Sequence, residues 1–439
     1  MSATDRRNAM TTSTPADAAS SGNLVQRAHR VIPGGVWGHN RYPAAYAPDA
    51  YPWFAERGEG ARLLSTDGRW YNDFLCGYGA MINGYGRAEV DGPAVRRAGH
   101  GPTLTTATPS SVELAELLVD LVDGAAWATW GTSGSDATWT ALLLARAHTG
   151  RKKVAVVAGA YHGSHSWCSW CNAPHGRHPE DEAAVVTLPW NDIAALDALF
   201  AAQGEQLAAV MITPFHHPIP GESVLPDPAW LQALGVHCAS SGTLLVSDDV
   251  RAGFRLALQG SHTVMGFAPD IVCFSKALGN GWPIAAVVGS EALRPTADTM
   301  FLAGTFWNSG PAMAAAVANV ELLRRDDGPA LMRTASDQFT AGLIKLAEQH
   351  DVPLRVSGPP AIPTVTVEGD DTYAWMSRFA VHMAAEGTLI HPMHNWFLST
   401  AHDRELIEES LAHADRAMAR TQTEQVAAPV AAADGSDGG

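Results

Sequence analysis

Two short apolar runs, each ending in one ionisable residue, constrain this chain more than any other feature. Gly242-Thr-Leu-Leu-Val-Ser-Asp248 is apolar and partly β-branched up to a carboxylate. Asp270-Ile-Val-Cys-Phe-Ser-Lys276 follows the same pattern up to a lone lysine, with Gly279-Asn280-Gly281 just beyond. Continuous apolar runs bounded by Gly and Pro suit strands buried on both faces, as in a parallel sheet. Parallel neighbours end on one edge, which is where open α/β sheets bind ligands. A carboxylate and an amine delivered there point to pyridoxal phosphate (PLP), with the lysine as Schiff-base partner and the aspartate paired to the pyridinium nitrogen. Taken alone, the pair reads equally well as a surface ion pair, so the remaining segments have to discriminate.

Those segments alternate between strand-like and helix-like patterns. Ala126 to Trp130, Val154 to Ala158, Ala183 to Leu188 and Ala208 to Ile212 are strand candidates. Helical spacing separates them at Ser135 to Ala147, Asp192 to Phe200 and Pro228 to Ser240. This order is the signature of an α/β fold with a mostly parallel sheet flanked by helices. Arg62 to Phe74 reads as a hairpin around Asp67-Gly68, and Ser110 with Glu113 as a capping box opening a helix to Val122. A smaller α+β domain is expected from the N- and C-terminal segments. The divisions are a tail over 1–22, the first part of the small domain over 23–75, the large domain over 76–310, a linking helix and second part over 311–420, and a tail over 421–439.

With 439 residues the chain can bury a core that needs no staples. It has no apolar run long enough for a membrane helix. Its N-terminus has no signal-peptide core, and its five cysteines are an odd number, so a reduced, cytoplasmic protein is expected. A net charge of −16 speaks against nucleic acid or an anionic membrane as partner.

Gly131-Thr-Ser133-Gly134-Ser135 stands between a strand and a helix, where free backbone N–H groups and small side chains suit a phosphate. It has neither the dinucleotide fingerprint nor a Walker lysine. Tyr161-His162-Gly163 follows the next strand and offers an aromatic face for a flat cofactor. In this order the fragments resemble the class III PLP aminotransferases of fold type I, specifically their glutamate-1-semialdehyde aminomutase-like branch. Ser133-Gly-Ser-Asp-Ala-Thr138 is similar to the family's SGTEAT phosphate turn, and Tyr161-His-Gly163 to its YHG. Asp248-Asp-Val-Arg-Ala-Gly-Phe-Arg255 resembles DEVMTGFR, and Ser275-Lys-Ala-Leu-Gly-Asn-Gly-Trp-Pro283 resembles the GKIIGGGMP segment. Gly304-Thr305 resembles a GT whose threonine reaches the phosphate of the neighbouring subunit.

The resemblance implies a PLP-dependent transaminase working as a homodimer on small-molecule amine and carbonyl substrates, with Lys276 and Asp248 catalytic. It implies cofactor contacts from Ser133, Gly134, Ser135, Tyr161, His162, Val250 and Thr305. Arg41 falls where the aminomutase has an arginine able to pair a substrate carboxylate. Departures at Thr213-Pro214-Phe215 and at the aromatic segment His391-Pro-Met-His394-Asn395-Trp396-Phe397 remove two acidic residues of the aminomutase. A pocket lined by His394, Asn395 and Trp396 suits a polyhydroxylated substrate such as an amino sugar, as in aminoglycoside antibiotic pathways. Aminomutase, epimerase and eliminase chemistry would share the same cofactor residues. His162, His165, Cys168, Cys171, His175 and His178 offer a competing reading, a non-catalytic zinc-binding protein, although loop packing is the better account and no metal is expected.

Overall fold

The computed structural model describes residues 18–38, 50–168, 178–218 and 221–427. A seven-stranded sheet organises them, in the order Trp127–Gly131, Ala285–Gly289, Ile271–Phe274, Leu244–Asp248, Leu207–Ile212, Lys153–Val157 and Val185–Leu188. Ala285–Gly289 runs antiparallel to both its neighbours, and every other pairing is parallel. Two reversals cancel, so Trp127–Gly131 points the same way as Leu244–Asp248. The carboxyl ends at Gly131, Val157, Ile212, Asp248 and Phe274 therefore share one edge.

Alternate side chains of each strand enter different layers. Val246, Ile271 and Cys273 pack against the helix Gly134–Thr149, while Leu245 and Val210 join the layer built by Ile193–Gln203 and Pro228–Ser241. Val272 and Phe274 meet a third group that contains Leu114 and Met313. Full burial of such side chains contributes about 1.5–3 kcal/mol each. That demand on both faces explains why these strands read as unbroken apolar runs.

A second sheet ties the chain's two ends together. Ala55–Glu59, Arg62–Ser65 and Trp70–Asp73 form an antiparallel meander, and Thr388–Leu389 adds to it in parallel with Trp70–Asp73. The helices Gly328–Gln349, Ala374–Glu386 and Arg404–Ala427 pack together beside it.

Three local expectations are corrected. The helix expected from Ser110 starts at Pro109 with Thr108 as N-cap and no side-chain cap bond, so Ser110 and Glu113 form no capping box. Pro109 is the reason, since its fixed φ and missing N–H suit the first helical position. The expected tail from 421 is instead helix through Ala427. Thr421 is buried there, and Gln422 accepts from Trp375 Nε1 at 3.1 Å and donates to the His350 carbonyl at 2.9 Å. At the other end a helix already begins at Ala18, inside the expected 1–22 tail.

Candidate active site

The site grows from the shared strand edge. Asp248 is the last residue of its strand and pairs with Cys273 of the neighbouring strand, so Lys276 emerges three residues beyond on the adjacent chain segment. Asp248 is 5% exposed, and its Oδ2 lies 2.8 Å from Nδ1 of His162, itself 2% exposed. Its Oδ1 accepts the Val250 N–H at 3.2 Å. The carboxylate is thus fixed from both sides, and Nε2 of His162 is buried without a partner among the described residues.

Lys276 sits in left-handed backbone, with φ of 42°. Such a conformation in a non-glycine residue costs on the order of 1–3 kcal/mol and persists only when its surroundings impose it. Here Ser275 Oγ donates to the Ile284 carbonyl at 2.9 Å, and Asn319 Nδ2 donates to the carbonyls of Ala277 and Leu278 at 2.8 and 3.0 Å. Burial first and then the Arg251 charge bring the Lys276 amine down to about 8, with the Asp248 charge opposing both. Amine and carboxylate therefore lie within each other's field. At neutral pH a usable fraction of this amine is already unprotonated.

The expected phosphate turn is a helix start with a true capping box. Ser133 is the N-cap of Gly134–Thr149, its Oγ accepting from Asp136 N at 3.3 Å while Asp136 Oδ2 accepts from Ser133 N at 2.9 Å. Burial raises the Asp136 carboxyl, but hydrogen bonds from Thr132 and Ser133 outweigh this and leave it below its ordinary value. The turn packs directly on the Asp248 loop: a Cβ on Gly134 would stand 2.7 Å from Cγ1 of Val250. Gly163, at φ of 115°, has room only for hydrogen against Ser135, whose Oγ accepts the Ser164 N–H at 3.0 Å. Tyr161 stands 42% exposed beside this cradle, its hydroxyl 3.2 Å from Ser164 Oγ.

An acid, an amine, an orphaned imidazole nitrogen and a glycine cradle at a helix N-terminus thus meet at one edge, a donor set that suits the ring, aldehyde and phosphate of PLP. The sequence pattern of the aminotransferases of class III matches residues 44–418. The chain belongs to the class III aminotransferases. An aminopentol aminotransferase of Sphingopyxis macrogoltabida is 36% identical over 397 residues, 90% of this chain and 93% of that protein. A glutamate-1-semialdehyde 2,1-aminomutase of Dichelobacter nodosus is 31% identical over 426 residues, 90% of this chain and 98% of that one. The PLP internal aldimine form of the FumI protein of Sphingopyxis sp. MTA144 superposes with a TM-score of 0.90 at 35% identity, covering 93% of this chain and 98% of that one. This aminotransferase is accordingly a PLP-dependent transaminase with the fold type I architecture.

Other expected residues divide. His394 is half-buried, its ring 5.6 Å from His217 and 5.7 Å from His391. Asn395 is fully buried, with Oδ1 accepting from Arg251 Nη1 at 3.2 Å. Trp396 is a correction: it lines no cleft, because its indole is fully buried against Phe339 and donates to the His391 carbonyl at 2.8 Å. Thr305 is exposed. Arg41 lies outside the described residues, as do Cys171 and His175 of the zinc reading. Within that cluster His162 is engaged by Asp248, His165 stacks on Trp139 at 5.4 Å, and His178 caps the helix Pro179–Ala183. No group able to hold a metal occurs among the described residues.

Arg251, Phe215 and His217 went unassigned in the sequence reading. Arg251 lies 4.6 Å over the Phe215 ring, and burial lowers it to about 10 against the pull of Asp248. Burial and then the Arg251 charge bring His217 down to about 2, and burial followed by the His217 charge drives His394 well below the ordinary histidine range. These imidazoles are neutral at physiological pH. The signal for Arg251 was present in the sequence, since it occupies the Met position of DEVMTGFR.

Proposed function

We propose that this aminotransferase moves an amino group between an external amino donor and a polyhydroxylated carbonyl compound, an amino sugar or a linear amino polyol in secondary metabolism. The observation that carries the reading is the Asp248 carboxylate, clamped by His162 and lying within the field of the Lys276 amine. Bound PLP supplies the electron sink for the pair released when a substrate Cα–H bond breaks. In this proposal Asp248 keeps the ring nitrogen protonated, and Lys276 carries the proton from the substrate Cα as general base. Ser133, Gly134 and Ser135 would hold the phosphate, Tyr161 and Val250 would hold the ring, and His162 orients Asp248. Neutral hydrogen-bonding rings at His217 and His394 suit hydroxyl groups better than charged ones. The aminopentol aminotransferase relative, named for an amino polyol, supports the same substrate class.

A homodimer belongs to the proposal. Phe301 is 93% exposed and Phe306 is 64% exposed on either side of Thr305, apolar surface that a second copy would cover while bringing Thr305 to the neighbouring phosphate. Among the described residues the buried free thiols Cys76, Cys238 and Cys273 fit the reducing cytoplasm.

The test offers ketone or aldehyde forms of amino sugars and amino polyols together with L-alanine or L-glutamate, and measures amine and 2-oxo acid together. The proposal expects one equivalent of 2-oxo acid per amine formed, and slower conversion of matched acceptors that lack hydroxyls. Amine formed without 2-oxo acid would assign an intramolecular or eliminating reaction, and preference for the unhydroxylated acceptors would remove the substrate class.

A further inference from the structure

Among the described residues the Arg251 guanidinium has no ion-pair partner, although the Asp248 charge reaches it. Its Nη1 donates to Asn395 Oδ1 at 3.2 Å, its plane lies 4.6 Å over Phe215, and it forms no ion pair among the described residues. Asp248, the carboxylate whose charge reaches it, is already bonded to His162 and to the Val250 N–H. The other groups that feel the Arg251 charge are Lys276, His216, His217 and His394, and none of them is an anion. Holding a guanidinium half-buried and unpaired is costly, and its planar fork matches a carboxylate in two-point geometry. We infer that Arg251, held by Asn395 and Phe215, is the receptor for the carboxylate of the amino donor and sets the enzyme's preference for amino acids over simple amines. Nε and Nη2 remain for the carboxylate, and the Arg251 field that reaches Lys276 places that carboxylate beside the reacting amine. This assignment rests on the transaminase reading and adds the chemical class of one substrate to it.

The test uses the holoenzyme and Arg251→Met, which restores the residue of the DEVMTGFR pattern, with Arg251→Lys as a charge-preserving control. L-Alanine and isopropylamine differ only by a carboxylate in place of a methyl group. The ratio of their kcat/KM values in the amino-donor half-reaction is expected to fall about a hundredfold in Arg251→Met and less in Arg251→Lys. An unchanged ratio, with both donors affected alike, would overturn the assignment. The second readout needs no turnover: the pH midpoint of the holoenzyme's cofactor absorbance, with and without propionate. A carboxylate on Arg251 cancels its charge, so propionate is expected to raise the midpoint in the wild type but not in Arg251→Met. No response to propionate in the wild type, or an equal response in the variant, would overturn the assignment. Should the wild type use neither amine, the transaminase reading would be in question while the propionate titration still decides the role of Arg251.

Discussion

Gly134→Ala probes the cradle at its tightest point. An added Cβ would stand 2.7 Å from Cγ1 and 3.1 Å from Cγ2 of Val250, against the roughly 3.5–4.0 Å at which carbon atoms sit comfortably. Neither side yields freely. Ser133 and Asp136 lock the glycine's turn through their reciprocal bonds, and the Val250 N–H is held by Asp248 Oδ1. Forcing an extra methyl into such packing costs about 1–3 kcal/mol. Helix propensity works the other way, favouring Ala by up to about 1 kcal/mol, so the net loss of stability in the cofactor-free protein should be no more than about 3 kcal/mol. Relief comes from pushing Val250 toward the ring or opening the turn, and both distort the PLP site. If the full packing cost falls on binding, PLP affinity drops about five- to 150-fold. Equilibrium dialysis of PLP, read beside the melting temperature of the cofactor-free protein, separates the two effects. Gly150→Ala is the control: at φ of 68° with nothing within 4 Å of its Cβ, it should lower stability by about 1 kcal/mol and leave PLP affinity alone. Wild-type affinity in Gly134→Ala, together with a lower melting temperature, would refute the view that this glycine is there for the cofactor.

Four further outcomes are expected. The Lys276 amine is lowered from 10.5 to about 8, first by burial and then by Arg251, so below pH 8 the folded cofactor-free protein carries the full penalty of a buried charge. That penalty fades as pH rises from about 8 to 10.5, because the folded state releases its proton first. Cofactor-free Lys276→Met should therefore be more stable than wild type below pH 8, by up to about 3 kcal/mol, with a gap that closes by pH 10.5 in denaturant melts; a gap independent of pH would contradict this. Asp248→Asn should lower kcat by a hundredfold or more, on the order seen when a preorganised electrostatic partner is lost, as checked by single-turnover absorbance. Phe301→Asp with Phe306→Asp should shift the protein to monomer in sedimentation and lower its PLP retention, whereas an unchanged mass would argue against an interface there. Trp396→Ala should cost about 3–5 kcal/mol of stability by chemical denaturation, as for any fully buried tryptophan.

Much of the large sheet was legible because its strands are buried on both faces, and Leu244 to Asp248 and Ile271 to Phe274 carry that burial as uninterrupted apolar sequence. The helix start at Ser133 was legible because Ser133 and Asp136 bond within one turn, so local chemistry sufficed. What escaped depends on contacts distant in sequence. The His162–Asp248 bond joins residues 86 positions apart, and the Arg251–Asn395 contact joins residues 144 apart. Trp396 was read as pocket lining because an aromatic beside His394 and Asn395 looks the same whether it faces a cleft or the core; only packing against Phe339 settles its direction. The helix end at Ala427 was missed for a similar reason, since Ala-rich sequence carries little amphipathic signal and the Gln422 contacts that anchor it are tertiary.

Reduction of the holoenzyme with borohydride followed by peptide mapping tests most directly whether Asp248 and Lys276 converge on one cofactor. The chain has four lysines, at 152, 153, 276 and 345, so the labelled position is unambiguous. The account expects one equivalent of reduced pyridoxyl group on Lys276, with retention of the group weakened in Asp248→Asn. Label on Lys152, Lys153 or Lys345, or a protein that binds PLP and keeps none after reduction, would contradict it.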